Sequence, residues 1–589
     1  MGNRILSSRE KFNADILGFP KPRRSWKSKL FVVLFVAVFF TACNVETIPP
    51  TPIRLATIPA ELAEQAALSK PPTPMITPRA DEETAVFPNS TSPPTQNTPS
   101  SDQVWHVGIA SNVPFGLAQE VEAFVKRHPD QYVWVGEAEA DVVVNLGDER
   151  PFATWLFTAA APFATIADEF GLADLQAAWQ GNGQSLVVDS ATAAWLADKW
   201  GTASANVFFA SPEKRVEIAW QRRPSLSIVP FDELQPGLKV MRLDGQFPLA
   251  QNFDASGSGL QANVSAMGDE TAVSEFLSTW DGPTSNRDAN KLTSVAVTGV
   301  TALVRATAYN MELNGMLWPA EDVGPVLQNA DIAHISNEVS FAPDCPYPNP
   351  IGGTTFCSGD NTFELIKHLG TDVIELTGNH LNDWGQENLL RSIEMYEAED
   401  MATYGGGRNA TEAAQPALFE HNGNKIAFVG CNSFGPVYAW AGAGAGARQC
   451  DGVMAEQIRQ LTAEGYQVIA TLQGTEYYQY PAMPEQQAQF KALADAGATA
   501  VSGSQGHHLQ AFDFHNGSFI HYGPGNLFFD QMDQLGTRQA FVDTYYFYNG
   551  CLLSVNLWTG LIESYAKPRL MTPQERIDAL NTVFQASGW

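Results

Sequence analysis

The sequence predicts an α/β fold built from two ordered regions that follow a long non-globular N-terminus. Short apolar runs alternate with amphipathic stretches from residue 104 onward, a pattern typical of strands connected by helices. The chain has 589 residues, 44% of them hydrophobic, which is enough for more than one core. A polar break, TSNRDANK, interrupts the alternation at 284–291. The predicted ordered domains are therefore residues 104–288 and 293–589.

The N-terminus, residues 1–43, has the layout of an export signal. A basic cluster between Arg23 and Lys29 precedes the apolar run LFVVLFVAVFF at 30–40, and the small residues after it end at Cys43. The run is too short for a membrane span, which needs about 20 apolar residues, and its order is that of a signal peptide. A cysteine directly after small residues resembles a bacterial lipobox, which implies lipidation of Cys43 and attachment to the cell membrane. An uncleaved anchor helix is the alternative; both predict an extracytoplasmic, membrane-anchored protein, a lipoprotein in the first case.

Residues 44–103 are the predicted spacer between the membrane and the first domain. This segment is rich in Pro, Thr and Ser, as in KPPTPMITPRA and NSTSPPTQNTPSS. Repeated prolines remove backbone donors and favour extended conformations, so we expect the spacer to be disordered.

The charge of the chain excludes one class of partner. Acidic residues outnumber basic ones, 64 to 35, for a formal net charge of −29. Such an acidic surface repels phosphate backbones, so nucleic acid is not an expected partner.

The cysteines after the predicted signal fit disulfide bonds, which an exported protein can form. Their spacing suits two local bridges, Cys345–Cys357 and Cys431–Cys450, and Cys551 is expected to remain a thiol. Sequence alone does not fix this pairing. A zinc site is the rival interpretation, which the lack of any CxxC pair in the sequence disfavours.

The first ordered region resembles the two-lobed bacterial solute-binding proteins. Apolar runs such as VWHVGIA alternate with helical stretches such as GLAQEVEAFVKRH. The segment APFATIADEFGLADLQAAW (161–179) resembles a hinge of that family, and SIVPFDELQPGLKVMRLDG (227–245) resembles its return crossover. The resemblance implies a sensor or solute-binding function. A scaffold without a ligand is the alternative.

In the second region, polar residues recur where apolar runs end. Because the carboxyl ends of strands in α/β folds converge on one crevice, we expect five such clusters to lie together. The alternative is that these side chains only stabilise turns through local hydrogen bonds. The clusters are Asn337 and Glu338; Asn379, His380 and Asp383; Gln473 and Glu476; Gln505, His507 and His508; and Asn526 and Asp530.

The residue types of these clusters are those of a metal site. Asn, Glu and His side chains supply oxygen and nitrogen ligands suited to Mn, Zn or Fe. A further histidine beside a carboxylate, as His380 stands to Asp383, could donate a proton to a leaving group.

The order of motifs resembles the CapA-type capsule-synthesis family, also called the poly-gamma-glutamate biosynthesis family, over about residues 293–570. The motifs are SNEVSF, LTGNHLNDWG, TLQGTEYYQYP and GATAVSGSQGHHLQAFDFHNGSFIHYGPGNLFFDQ. The resemblance implies a calcineurin-like metallophosphoesterase fold, in which helices flank a two-sheet sandwich. It implies catalytic roles for His380 and Asp383, metal ligation by Asn337, Glu338, Asn379 and His507, and substrate binding by Glu338, Gln473, Glu476, Gln505, His508 and Asn526.

Three positions depart from the family's pattern. Gly299-Val300 stands where a Gly-Asp pair is expected, Gln473-Gly474 where His-Trp-Gly is expected, and Gln505 where the first histidine of a Gly-x-His-Pro-His loop is expected. A two-metal centre holds its cations with several anionic and imidazole donors, and valine supplies none. The departures predict at most one divalent cation, Mn, Zn or Fe, or none, and little phosphoesterase activity.

Three functions follow from these observations. The first is a surface-anchored capsule-synthesis protein with a degraded metal site, which assists synthesis, export or anchoring of an anionic polymer such as poly-gamma-glutamate. Its partners would be the polymer or the machinery that makes and exports it. The second is a metal-dependent hydrolase of phosphoester or peptide bonds, and the third is a solute-binding or sensor lipoprotein.

Overall fold

The computed structural model describes residues 103–589. The predicted signal peptide, the lipidation of Cys43 and nearly all of the predicted spacer lie outside the described residues. From residue 104 onward the structure is a mixture of strands and helices, which confirms the predicted α/β class.

The N-terminal region carries one large sheet. Its nine strands run in the order β2-β1-β3-β11-β4-β8-β6-β7, and β9 pairs with β4. The strands of this region are β1 (Trp105–Ile109), β2 (Tyr132–Trp134), β3 (Val142–Leu146), β4 (Pro151–Pro162), β5 (Glu169–Phe170), β6 (Ser185–Val188), β7 (Val207–Phe209), β8 (Ser225–Pro230), β9 (Leu238–Val240), β10 (Arg242–Leu243) and β11 (Gln261–Gly268). The helices are α1 (Phe115–Arg127), α2 (Leu172–Trp179), α3 (Ser190–Trp200), α4 (Pro212–Gln221) and α5 (Glu270–Thr279).

The C-terminal region carries two larger sheets. Its strands are β12 (Leu292–Thr298), β13 (Val300–Thr301), β14 (Ile332–Asn337), β15 (Phe341–Ala342), β16 (Ser358–Gly359), β17 (Val373–Glu375), β18 (Ala402–Tyr404), β19 (Gly406–Gly407), β20 (Ala417–His421), β21 (Asn424–Asn432), β22 (Gly446–Ala447), β23 (Gln467–Gln473), β24 (Ala500–Gly503), β25 (Phe512–His515), β26 (Ser518–His521), β27 (Asn526–Phe528), β28 (Gln539–Tyr548), β29 (Cys551–Glu563) and β30 (Lys567–Leu570). The helices are α6 (Arg305–Asn314), α7 (Gly324–Gln328), α8 (Phe363–His368), α9 (Gln386–Glu397), α10 (Ala410–Ala413), α11 (Gly452–Ala463), α12 (Pro484–Asp495), α13 (Leu535–Arg538) and α14 (Pro573–Ala586).

The two sheets of this region share a core. One runs in the order β18-β17-β14-β12-β28-β29-β30, with β13 and β27 beside it, and the other in the order β20-β21-β23-β24-β26-β25. Val295 and Ile332 of the first sheet lie in the same buried cluster as Ile469 and Phe519 of the second. Alternate residues of β14, such as Ala333, pack instead into a cluster that contains α9 side chains. The result is the two-sheet arrangement flanked by helices that the sequence predicts.

A polar layer lies between the sheets, just below the strand ends. His334 lies 3.3 Å from Glu375, and His521 lies 2.7 Å from Asp543, with all four side chains buried. Burial opposes ionisation of Glu375, but the hydrogen bond and charge of His334 outweigh it and hold the pKa of that carboxyl below its usual value. His334 and Glu375 lie on neighbouring strands of the first sheet, whereas His521 and Asp543 come from different sheets. The contact between His521 and Asp543 therefore joins the two sheets, in addition to the apolar contacts.

The N-terminal and C-terminal regions pack tightly on each other. Phe163, which follows β4, is buried, and its ring centroid lies 5.3 Å from that of Phe519 and 5.9 Å from that of Trp589. The amide of Val240 donates to Ser554 Oγ at 3.2 Å. All described residues belong to one compact unit, and the predicted boundary between 288 and 293 stays a prediction.

Both predicted disulfide bonds are present, Cys345–Cys357 and Cys431–Cys450. The described part of the chain contains no free cysteine, which corrects the expectation that Cys551 remains a thiol. No helix within residues 103–589 is long and apolar enough to cross a membrane.

Candidate functional site

The predicted crevice lies where strands of both sheets end. Asn337 is the last residue of β14 and Gln473 the last of β23, while Asn379 follows β17 and Gln505 follows β24. The side chain of Gln473 contacts those of Asn379 and Gln505, although the three residues come from separate segments. This convergence is the one expected for the carboxyl ends of strands.

His380 and Asp383 form a supported pair at one side of the crevice. His380 Nδ1 lies 2.6 Å from Asp383 Oδ2, and that carboxylate also accepts from the Phe356 amide at 2.9 Å and from the Tyr438 hydroxyl at 3.1 Å. The Phe356 ring packs on the imidazole with 4.3 Å between centroids. The Asp383 side chain is 2% exposed and that of His380 is 21% exposed, so the imidazole is the accessible member.

The charges around His380 favour its protonated form. Burial lowers the pKa of the imidazole, but the hydrogen bond to Asp383 and the negative charges of Glu338, Asp383 and Glu476 outweigh burial and raise it. The sequence prediction that a carboxylate orients this histidine therefore agrees with the geometry. Its catalytic role stays a prediction.

Amide side chains occupy the centre of the crevice. The Gln473 amide contacts that of Gln505 and lies 2.9 Å from Asn379 Oδ1 and 3.2 Å from Thr377 Oγ1. Gln505 Nε2 also donates to Glu476 Oε1 at 2.9 Å. These groups are buried or half-buried and hydrogen-bond mainly to one another, which makes this part of the site neutral and rigid.

His507 faces the same cluster from the other side. Its Nδ1 lies 2.8 Å from Asn526 Oδ1, and its Nε2 lies 3.4 Å from Gln505 Nε2 and 3.9 Å from Glu476 Oε1. Asn526 Nδ2 in turn donates to the carbonyls of His507 and Thr537, both at 3.0 Å. The structure thus uses Asn526 to position His507, and its predicted substrate contact is not tested.

Glu338 is a deeply buried carboxylate of the crevice that lacks a hydrogen-bond partner among the described residues. It is 3% exposed, and neither carboxylate oxygen has a hydrogen-bond partner within residues 103–589. Its neighbour Asn337 points elsewhere, because Nδ2 donates to Val339 O at 2.9 Å and to the Tyr396 hydroxyl at 2.7 Å. Asn337 Oδ1, like the Glu338 oxygens, has no hydrogen-bond partner in the described part of the chain, and metal ligation by these two residues stays a prediction.

Two predicted residues lie apart from the amide cluster. The His508 imidazole packs on Tyr480, with 4.6 Å between ring centroids, and its Nδ1 lies 2.7 Å from Leu509 O. Burial lowers the pKa of His508. Asp530 pairs with Arg305 and accepts from the Ala306 amide at 3.1 Å, at the start of α6. Both side chains are held by structural contacts.

Sequence reasoning missed three side chains beside the crevice. Arg305 stacks between Phe356 and Phe529, at 4.9 Å and 5.0 Å from their ring centroids. Phe529 in turn packs on His507, as Phe356 packs on His380. Phe529 lies within the motif that ends in GPGNLFFDQ, and Phe356 adjoins the predicted disulfide residue Cys357, but no motif marks Arg305.

The donors do not fit a two-metal centre. Val300 is buried, and its backbone amide donates to Gly525 O at 3.0 Å, so an apolar side chain stands where the family has an aspartate. Across residues 103–589 no group of three or more His, Cys, Asp or Glu side chains is arranged to hold a metal ion. Gln473 and Gln505 add only neutral amide groups, which bind each other. Binding of one divalent cation stays a prediction.

Fold and site together define an α/β protein of two packed sheets with a polar crevice at the strand ends. Residues 294–531 match the family described as bacterial capsule synthesis protein PGA_cap, so this part of the chain is a domain of the CapA-type capsule-synthesis family. The chain is similar to the capsule biosynthesis protein CapA of Bacillus anthracis, with 27% identity over 259 residues, 42% of this chain and 62% of that protein. It is also similar to the PGA biosynthesis protein CapA of Bacillus subtilis (strain 168), with 25% identity over 178 residues, 28% of this chain and 45% of that protein. The match thus spans less than two thirds of each relative.

Among solved structures, the chain is similar to an ABC-type phosphate transport receptor from Vibrio cholerae. The identity is 8%, the match covers 30% of this chain and 93% of that protein, and the TM-score is 0.25. A TM-score this low supports no conclusion, so the resemblance of residues 104–288 to solute-binding proteins stays a prediction.

Proposed function

We propose that this protein assists the synthesis, export or anchoring of an anionic surface polymer such as poly-gamma-glutamate. The match of residues 294–531 to the capsule-synthesis family carries the proposal, and the names of the two similar Bacillus proteins support it. The proposal places the chain outside the cytoplasm, anchored to the membrane by lipidation of Cys43. Its partners are the polymer or the machinery that makes and exports it.

The crevice contributes recognition by hydrogen bonds rather than metal chemistry. Gln473, Gln505 and Asn379 present amide groups in a fixed arrangement, and buried polar networks of this kind are specific because each member is oriented by its neighbours. The net charge of −29 opposes broad electrostatic capture of a polyanion. Contact with the polymer is therefore local and confined to the crevice.

Deletion of the gene in its own host tests the proposal. We expect severalfold less surface polymer, restored by the wild-type gene and only partly by a Gln473→Ala/Gln505→Ala variant. Gln415→Ala is the matched control, because Gln415 is an exposed glutamine whose side chain donates only to Thr411 O, one turn away. Unchanged polymer after deletion would reject the function.

A second candidate is hydrolysis of a phosphoester or peptide bond. The pairing of His380 with Asp383 favours it, because a partly exposed imidazole with a raised pKa can act as a general acid. Since the donors do not fit two metals, the chemistry would depend on these two side chains. The wild-type chain is then expected to turn over a model phosphodiester or γ-glutamyl amide in the presence of EDTA. Turnover that survives His380→Ala, or no turnover by the wild-type chain, would count against it.

Contacts in the N-terminal region support the scaffold alternative over solute binding. The Gly116 amide, in the first turn of α1, donates to Glu233 Oε1 at 3.1 Å. The neighbouring Asp232 carboxylate leaves no room for a Cβ at Gly116. The protein's own carboxylates thus occupy a helix N-terminus of the kind that binds anionic solutes. Thermal stabilisation of the full chain by phosphate would contradict this interpretation.

A further inference from the structure

Glu338 is an exception to the rule that buried charges are paired. Its side chain follows β14 at the crevice and is almost fully buried, yet neither oxygen accepts a hydrogen bond from any described residue. A buried carboxylate without a donor loses its hydration and gains nothing in return, which is strongly unfavourable. The position therefore calls for a cationic or hydrogen-bond-donating partner.

Glu338 lies beside the crevice loop, because the next residue, Val339, forms a β-bridge with His380. Burial lowers the pKa of His380, but the hydrogen bond to Asp383 and the charge of Glu338 help to raise it. Gly378 lies against the backbone of Glu338. A Cβ added at Gly378 would lie 2.6 Å from the Glu338 carbonyl oxygen and 2.7 Å from the Glu338 Cα. The loop that carries Asn379 and His380 thus packs directly on the Glu338 backbone.

Several donors of the crevice are already engaged elsewhere. Gln505 Nε2 and the Tyr478 hydroxyl both donate to Glu476, at 2.9 Å and 2.7 Å. His380 Nδ1 is paired with Asp383, and the amide of Gln473 is held by Asn379 and Gln505. None of these donors hydrogen-bonds Glu338 in this structure, so the carboxylate is open to a donor group brought by a ligand.

The local charge decides which group that is. Glu338 and Glu476 are both carboxylates, so a ligand carboxylate would meet repulsion at this point. A divalent metal needs several strong donors, and the described residues contain no group of three or more His, Cys, Asp or Glu that could hold one. An ammonium group carries one positive charge and up to three N–H donors, and needs only a few acceptors.

We propose that Glu338 binds the primary ammonium group of an organic ligand, in place of the metal that the family's site holds. Naming that ligand as the free amino end of an amino-acid polymer, or its monomer, rests on the proposed function; the ammonium site itself does not. The crevice then binds the amino end of the ligand, and the ligand's carboxylates lie away from Glu338.

Paired probes that differ only at nitrogen test the site on the purified full chain. Calorimetry is expected to give at least tenfold tighter binding of glutamate than of N-acetylglutamate, which lacks the ammonium group. Methylammonium is expected to compete with glutamate, and tetramethylammonium, which has no N–H, is not. Equal binding of glutamate and N-acetylglutamate would overturn the proposal, as would Mn²⁺ that binds tightly and displaces glutamate.

Substitution of the Glu338 carboxylate is a second test of the ammonium site. Glu338→Gln keeps the shape and removes the charge, so glutamate affinity is expected to fall at least tenfold while the melting temperature without ligand rises. Glu420→Gln is the control, because Glu420 is 67% exposed on β20. Retained affinity in Glu338→Gln refutes the site. If that variant does not fold, the paired probes on the wild-type chain still decide.

These results separate the two proposals. Unchanged surface polymer after gene deletion would reject the capsule function. Selectivity for the ammonium group in the same protein would still support the ammonium site. Loss of polymer after deletion would support the capsule function. Equal binding of glutamate and N-acetylglutamate by the same protein would reject the ammonium site.

Discussion

Asp232 provides a measurable link between burial and pH-dependent stability. Its Oδ1 accepts from Asn286 Nδ2 at 2.8 Å, and Glu233 follows it directly. Burial of the carboxyl group and the charge of Glu233 raise its pKa to about 7. In the unfolded chain the same group has its ordinary value of 3.8, so the folded state retains a proton that the unfolded state has lost.

The sign and size of the effect follow from this difference. A group whose folded pKa is raised contributes stability that is present at low pH and is lost as pH rises through the folded value. Each pH unit in which only the folded state is protonated removes about 1.4 kcal/mol. With a folded pKa of about 7, the free energy of unfolding is expected to fall by about 2 to 3 kcal/mol between pH 5 and pH 8 through this one group.

The pH dependence of the free energy of unfolding is measured by urea unfolding at pH 5, 6, 7 and 8. The wild-type chain and Asp232→Asn are compared. The variant keeps an oxygen for Asn286 but does not titrate, so its stability relative to the wild type is expected to improve by about 2 to 3 kcal/mol over that range. Asp130→Asn changes an exposed carboxylate and serves as control. Parallel pH profiles of wild type and Asp232→Asn would refute the reasoning.

Three further predictions concern packing and charge in and around the crevice. Phe163→Ala removes the aromatic contact between the two regions and is expected to lower the free energy of unfolding in urea by about 3–5 kcal/mol. A decrease below about 1 kcal/mol would show that this contact does not contribute as a buried core contact does. Asp383→Asn removes the anion beside His380, so the imidazole pKa, followed by NMR titration, is expected to drop; an unchanged pKa would mean that other charges set it. Gly378→Ala forces a Cβ against the Glu338 backbone and is expected to destabilise by about 1–3 kcal/mol; wild-type stability in a denaturant titration would contradict that close approach.

The sequence identified the position of the crevice better than the arrangement of its side chains. Strand ends converge in any α/β fold, so Gln473 and Gln505 could be placed together from their position after apolar runs. The direction of each side chain depends on neighbours far along the chain. Asn337 turns toward Tyr396 on α9, and Arg305 stacks on Phe529, contacts between residues 59 and more than 200 positions apart in sequence. No local pattern encodes such pairings.

The same long-range contacts change what the substitutions at Val300, Gln473 and Gln505 mean. The sequence alone indicates that these substitutions remove metal ligands, which would leave the family's site with weaker metal binding. In the structure the two glutamines bind each other and hold Asn379 and Glu476, so they form an organised hydrogen-bonded cluster of amide groups beside a carboxylate, in place of metal ligands. Those contacts occupy donors of the crevice and leave Glu338 as a buried carboxylate that accepts no hydrogen bond from any described residue. Because such a charge is costly unless a cation meets it, the arrangement is one of ligand recognition, and its defining residue is the carboxylate that remains.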